Sequence, residues 1–135
     1  MFSTNKNYEK NGVNIRYGFN DENKPIEFTI ARAGGSNTAF LKGMEAALKP
    51  YRRQLQTDTM DEKLAGDLMR KVFCKTIILG WTGVKDEHGK ELTYSPETCE
   101  KLMERLPDLY ADLREQAQNA ALFRSESLEA DAKNS

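Results

Sequence analysis

The sequence has few of the residues on which catalysis and metal binding depend. Its 135 residues include one histidine and two cysteines, and the cysteines have no CxxC spacing that would indicate a metal site. His88 lies beside Asp86 and Glu87 in a turn-like segment without the ligand spacing of a calcium loop. We expect Cys74 and Cys99 to be small buried hydrophobic residues. We therefore predict no catalytic residue, metal or cofactor, and a protein that is not an enzyme.

The sequence also lacks a charge excess and long apolar runs. Lys and Arg number 20 against 21 Asp and Glu, which gives a formal net charge of −1. Proteins held mainly by nucleic-acid phosphates usually carry a basic excess, so nucleic acid is not an expected partner. No apolar run approaches the roughly 18 residues that span a bilayer, and the first residues lack the apolar stretch of a secretory signal. We expect a cytoplasmic protein with reduced thiols and no membrane contact.

The hydrophobic content of 39% predicts one modest core in a chain of this length. The last residues, RSESLEADAKNS, have one leucine in a polar setting. We therefore expect a single domain over residues 1–124 and a polar, disordered tail over residues 125–135.

Two segments near the N-terminus alternate in the manner of half-buried strands. Apolar side chains share one parity in residues 13–19 and again in residues 26–30, and the turn-forming NDENKP separates them. This pattern predicts an antiparallel hairpin, with Gly18 marking a bulge and Pro25 at a strand start. An isolated hairpin is marginal in water, so we expect it to pack on a helix or on another chain.

Helical periodicity replaces the alternation after Gly35, with Ser36 or Asn37 as the first N-cap. Pro50 is expected to end this helix near Lys49. Thr57–Thr59 predicts the start of a longer helix, which Gly80 ends. Its apolar stripe includes the following residues: Leu64, Leu68, Val72 and Ile77.

Two further helix starts follow a short loop or hairpin at residues 82–94. Ser95 and Pro96 form an N-cap and N1 pair, and Pro107 begins the last helix. The sequence therefore predicts a mostly helical α+β fold, in which three to five helices follow the hairpin.

Three features are candidates for binding. Gly34-Gly35-Ser36 with Arg32 resembles a loop that holds an anion, although it matches no phosphate-loop motif and the structural role is favoured. One helix face cannot bury all of the apolar run at residues 77–81, so Trp81 and Ile78 either cover the core or contact a partner, with the core favoured. The exposed basic pair Arg52 and Arg53 is a weaker partner-contact candidate.

The order of segments resembles the small tail assembly chaperones of long-tailed, siphovirus-type bacteriophages. The resemblance covers residues 26–124 and is carried by FTIARAGGSNTAF, KPYRRQLQT, TIILGWTGV, DEHGKELTYSPET and LPDLYADLREQAQNAALFR. Its most specific parts are residues 30–40, 50–53, 79–84 and 106–109, none of which is a catalytic signature. Residues 1–25 do not align.

The resemblance implies a chaperone that binds and solubilises the tape-measure protein and helps to recruit major tail subunits. Such a protein acts in the bacterial host cytoplasm and is absent from the mature virion. In several such phages a frameshift produces a longer form, which would extend the polar tail. Self-association stays open. Two alternatives are a tail-completion or connector protein of the virion and a small nucleic-acid-binding regulator.

Overall fold

The N-terminal part of the chain folds as the hairpin that the alternating pattern predicts. A computed structural model describes residues 7–124. Strands β1 (Val13–Phe19) and β2 (Pro25–Ile30) pair antiparallel, and the register shifts between Arg16 and Phe19. Gly18 lies in this shift with a φ of 86°, a conformation that glycine adopts without steric cost. The predicted bulge and the position of Pro25 are both confirmed.

A third strand, β3 (Ile78–Thr82), pairs antiparallel with β2 and gives the sheet order β1-β2-β3. The predicted helix was therefore too long at its C-terminal end, and Gly80 is not its stop. The helix ends at Thr76, after which β2 supplies a hydrogen-bonding edge for the backbone of the β-branched and aromatic residues that follow. A short apolar run such as this one is compatible with either a helix or a strand, and the element that packs beside it decides which one forms.

Within residues 7–124 one helix precedes the hairpin and five follow it, so the predicted α+β class is confirmed. In chain order they are α1 (Tyr8–Asn11), α2 (Ala39–Leu48), α3 (Arg52–Gln56), α4 (Glu62–Thr76), α5 (Pro96–Arg105) and α6 (Pro107–Gln118). Single 3₁₀ turns lie at Lys49–Tyr51 and Ala120–Phe123.

Three predicted helix boundaries are confirmed. Ser95 caps α5 in a capping box with Thr98, and Pro96 occupies the first turn. Pro107 is the first residue of α6, where its missing N–H costs nothing. Helix α2 ends at Leu48, directly before the 3₁₀ turn that contains Pro50.

Two predicted starts were misplaced. The N-cap of α4 is Asp61, whose carboxylate accepts a hydrogen bond from the Leu64 N–H at 3.1 Å, and not a residue of Thr57–Thr59. Asp58 has a φ of 54°, a left-handed conformation that interrupts a helix. The N-cap of α2 is Thr38 rather than Ser36 or Asn37.

The core lies between one face of the sheet and helices α4 to α6. In α4 the buried residues are Val72, Phe73 and Cys74. Leu68, which belongs to the predicted apolar stripe, is only half-buried. Helix α2, which itself has no buried residue, packs on the C-terminal half of α4, where Gly43 approaches Val72. The N-terminal half of α4 has no buried residue, so this half of the stripe stays partly exposed.

The loop between β3 and α5 forms the short turn that the sequence predicts. Lys85 and Glu91 bridge across it, and the Gly89 N–H donates to the Asp86 carbonyl at 3.1 Å. The predicted tail at residues 125–135 lies outside the described residues.

Candidate partner-binding groove

An open groove of about 630 Å³ lies where the β1–β2 hairpin, the loop after β3 and the α5–α6 junction meet. Its floor is an edge of the hydrophobic core, because Phe28, Val84 and Leu102 belong to both. Ile26 and Leu109 extend the apolar floor. Leu106, between α5 and α6, lines the groove and is 42% exposed. An apolar floor with a polar rim is typical of a binding site.

Ion pairs hold the rim of this groove. Lys85 pairs with Asp21 and with Glu22 of the hairpin turn, which joins the two segments. The hydrogen bonds from Lys85 lower the pKa of both carboxylates and raise the pKa of the Lys85 ammonium. Arg105 of α5 lies 3.8 Å from Glu87 on the opposite loop. Ion pairs therefore connect the loop after β3 to the hairpin turn on one side of the groove and to α5 on the other.

Hydrogen bonds within the loop fix its shape. The Asp86 carboxylate accepts from the N–H groups of His88, at 2.8 Å, and Lys90, at 3.0 Å. These bonds lower the pKa of Asp86. The Asn20 side-chain amide donates to the Gly83 carbonyl at 3.0 Å. The rim is thus organised by hydrogen bonds within this chain, and a preorganised surface of this kind has a lower ordering cost in any binding event.

Trp81, a predicted contact residue, lies in an aromatic cluster beside the groove. Its ring meets Phe28 edge-on at 5.8 Å and Tyr94 at 5.0 Å between centroids. Its indole N–H donates to the Leu92 carbonyl at 2.7 Å. Since Phe28 forms part of the groove floor, Trp81 supports that floor from one side. Its half-buried ring has a packing role that the sequence interpretation favoured.

The other three predicted contact residues lie elsewhere. Ile78 is 0% exposed, so it cannot reach a partner in this fold and is withdrawn as a contact candidate. Its place in β3, opposite Ile30, explains the burial. Arg52 and Arg53 are exposed on α3 and do not line the groove. The structure therefore does not bring the four candidates into one site.

The groove residues were missed because they come from three distant segments. Leu106 had one local signal, since it lies between the end of α5 and Pro107, where neither helix buries it. The alternation in residues 26–30 places Ile26 and Phe28 on the apolar face of a strand, and this pattern alone does not indicate a groove.

The anion-binding appearance of the Gly34-Gly35-Ser36 loop has a structural explanation. The Glu9 carboxylate of α1 accepts hydrogen bonds from the Ser36 N–H, at 2.9 Å, from the Ser36 hydroxyl and from Arg32. These bonds hold the pKa of Glu9 at about 2. The Glu9 carboxylate thus occupies the position that an external anion would take, and its hydrogen bonds connect α1 to the loop.

The residues with reactive side chains are dispersed. His88 is exposed on its turn, whereas Cys74 and Cys99 are both free and buried. A hydrogen bond with Cys74, together with burial, raises the pKa of Cys99, which disfavours the nucleophilic thiolate. Within residues 7–124 no group of three or more His, Cys, Asp or Glu side chains is placed to hold a metal ion. No helix in that range is long and apolar enough to cross a membrane.

The fold is that of a small α+β protein with an open apolar groove, and its sequence relationship places it among phage proteins. The chain belongs to the YdaY prophage protein family, whose model matches residues 35–134. This match supports a phage origin. It includes α2 to α6 and β3 but not the hairpin that forms one wall of the groove. No curated protein and no solved structure matches the chain.

Proposed function

We propose that this protein is a non-enzymatic tail assembly chaperone, which binds the tape-measure protein in the host cytoplasm and helps to recruit major tail subunits. Two findings from the sequence support the proposal. The chain belongs to a family of prophage proteins, and the order of its segments resembles that of tail assembly chaperones over residues 26–124.

The observation that carries the proposal is the open apolar groove with its fixed polar rim. A tape-measure protein is largely helical and exposes apolar stripes before the tail closes around it. An amphipathic helix binds by placing such a stripe in an apolar groove. A groove of this size contacts a short segment, and small interfaces are typical of complexes that later dissociate. A chaperone needs this property because the tail subunits must replace it.

The charges that line the groove favour one kind of segment. Asp21, Asp86 and Glu87 contribute three carboxylates, against the cations of Lys85 and Arg105. Complementary charge favours encounter with the correct partner more than it raises affinity. We therefore assign the groove to an apolar helical stripe with a basic residue beside it.

The contact is tested by comparing two exposed leucines. Leu106→Gln changes the groove, whereas Leu41→Gln changes a leucine of α2 that is 61% exposed and does not line it. Each variant is co-expressed with the tape-measure protein of the same prophage, and affinity is measured after co-purification. We expect Leu106→Gln to weaken binding by about tenfold or more, because a contact residue contributes about 1.4 kcal/mol or more. Leu41→Gln is expected to bind within about twofold of the natural protein.

Either of two results would contradict the proposal. A tape-measure protein that is equally soluble with and without this protein would exclude the chaperone function. Equal binding by the Leu106→Gln and Leu41→Gln variants would exclude the groove as the contact surface. Purified virions provide a further test, since a connector protein remains in them and a chaperone does not.

Arg52 and Arg53 favour the nucleic-acid-binding alternative, because both are exposed on the same short helix. Binding to phosphates weakens steeply with salt. DNA binding that falls between 50 and 200 mM salt, and that is lost in an Arg52→Gln/Arg53→Gln variant, would support that alternative. If DNA does not bind at low salt, the alternative is wrong.

A further inference from the structure

Arg70, Tyr110 and Arg114 form a cluster on the side of the molecule where α4 meets α6. The Arg114 guanidinium carbon lies 4.5 Å from the centroid of the Tyr110 ring. Phe73 of α4 contacts the same ring edge-on, with 5.6 Å between centroids. Burial raises the pKa of Tyr110, and the nearby positive charges of Arg114 and Arg70 oppose this shift. The three polar side chains therefore share one electrostatic environment.

Two polar atoms of this cluster are buried without a hydrogen-bond partner among residues 7–124. They are the Tyr110 hydroxyl and the Arg114 Nε. Buried polar groups are nearly always paired, because an unpaired one loses its hydration without compensation. The Arg114 Nε–H can only donate, and a phenol hydroxyl readily donates. A group that satisfies both atoms must therefore be a hydrogen-bond acceptor.

The local charge narrows the chemistry of that acceptor. Arg70 is paired with Asp67, at 2.6 Å. Arg114 has no carboxylate within ion-pair distance among the described residues. The cluster thus has one uncompensated positive charge beside two unpaired donors. A guanidinium and a hydroxyl together match the oxygens of a carboxylate or a phosphate group.

We propose that Arg70, Tyr110 and Arg114 form a binding site for an oxyanion. The site is separate from the groove, because none of the three residues lines it. Its ligand is either a carboxylate, as on an acidic side chain of a partner protein, or a phosphate group. Arg114 and Tyr110 supply the donors, and Arg70 adds positive charge at the side of α4.

Thermal unfolding of the full chain tests this site. Inorganic phosphate and acetate are the two probes, each compared with sodium chloride at equal ionic strength. A ligand at ten times its Kd is expected to raise the Tm by about 4–7 °C in a protein of this size. A larger effect of acetate identifies the ligand class as a carboxylate, and a larger effect of phosphate identifies it as a phosphate group.

Variants separate binding from general charge effects. Tyr110→Phe removes the unpaired hydroxyl but keeps the ring, so its Tm without a probe is expected to be equal or higher. Arg114→Lys keeps the charge but removes the Nε donor and the planar fork. Both variants are expected to lose most of the rise in Tm. Arg53→Gln, which removes an exposed arginine elsewhere, is expected to keep it.

The proposal is wrong if neither probe raises the Tm of the natural protein above the chloride control. It is also wrong if Tyr110→Phe and Arg114→Lys both keep the full rise. Chemical-shift changes in a ¹⁵N spectrum provide a second measurement, and changes centred away from residues 70, 110 and 114 would also overturn it.

Discussion

The contact between α2 and α4 depends on a glycine, and replacing it with alanine should destabilise the protein. A Cβ atom added at Gly43 would lie 2.7 Å from the Cγ1 atom of Val72. Val72 is buried, and a β-branched side chain in a helix has one strongly preferred χ1 rotamer. The methyl group cannot turn away cheaply, so the two helices must separate.

The magnitude follows from two opposing effects. Overpacking a well-packed contact costs about 1–3 kcal/mol. Alanine is favoured over glycine inside a helix by about 1 kcal/mol. The net effect of Gly43→Ala is therefore a loss of about 0–2 kcal/mol in the free energy of unfolding.

Gly66 of α4 provides a matched control. It also lies inside a helix, but nothing is within 4 Å of an added Cβ atom. Gly66→Ala should therefore gain about 1 kcal/mol from helix propensity alone. Urea denaturation of both variants is expected to separate them by about 1–3 kcal/mol, with Gly43→Ala the less stable.

A double-mutant cycle tests the cause. In a Val72→Ala background the Cγ1 atom is absent, so Gly43→Ala should no longer destabilise the protein relative to that background. A coupling energy of at least about 0.5 kcal/mol is expected between these two contacting positions. If Gly43→Ala is as stable as Gly66→Ala, or if the cycle shows no coupling, the close approach of the two helices is not as the structure has it.

Three further variants test other contacts. Glu9→Gln should lower stability by about 1–3 kcal/mol at pH 7. Because the folded pKa of Glu9 is lowered from 4.5 to about 2, this stabilisation is present above pH 4.5 and is lost toward pH 2; a difference independent of pH in urea denaturation would contradict it. Ser95→Ala should cost about 0.5–2 kcal/mol, measured as a lower urea midpoint, through loss of the α5 cap. Trp81→Phe removes the hydrogen bond to Leu92 and should cost about 0.5–1.5 kcal/mol by calorimetry; an unchanged Tm would show that the bond contributes nothing.

Most local structure follows from short sequence signals. The hairpin is readable from the alternation on either side of NDENKP, and Gly18 marks its bulge. The start of α5 is defined by Ser95 with Pro96, and the start of α6 by Pro107. Each signal depends only on residues that are neighbours in the sequence. These signals act over a few positions, so they need no knowledge of the rest of the fold.

The candidate groove, unlike these local features, could not be predicted from short sequence signals. It requires the hairpin turn, the loop at residues 83–89 and the α5–α6 junction to meet, and no spacing in the sequence encodes that meeting. The cluster of Arg70, Tyr110 and Arg114 is likewise not encoded by any spacing in the sequence. Helix α4 contributes Arg70, and α6 contributes the other two residues. Residues that are far apart in sequence become a site only through packing.

The sequence by itself therefore determined the α+β class, the turn positions and three helix boundaries, because caps, prolines and hydrophobic period act locally. Tertiary structure alone decided that residues 78–82 form a strand, because an apolar run takes its conformation from the edge of β2 beside it. It also decided which apolar residues are buried. Ile78 is enclosed between β2 and the helices, whereas Leu68 is half-buried and Leu106 is exposed, since burial depends on which neighbouring element covers each face.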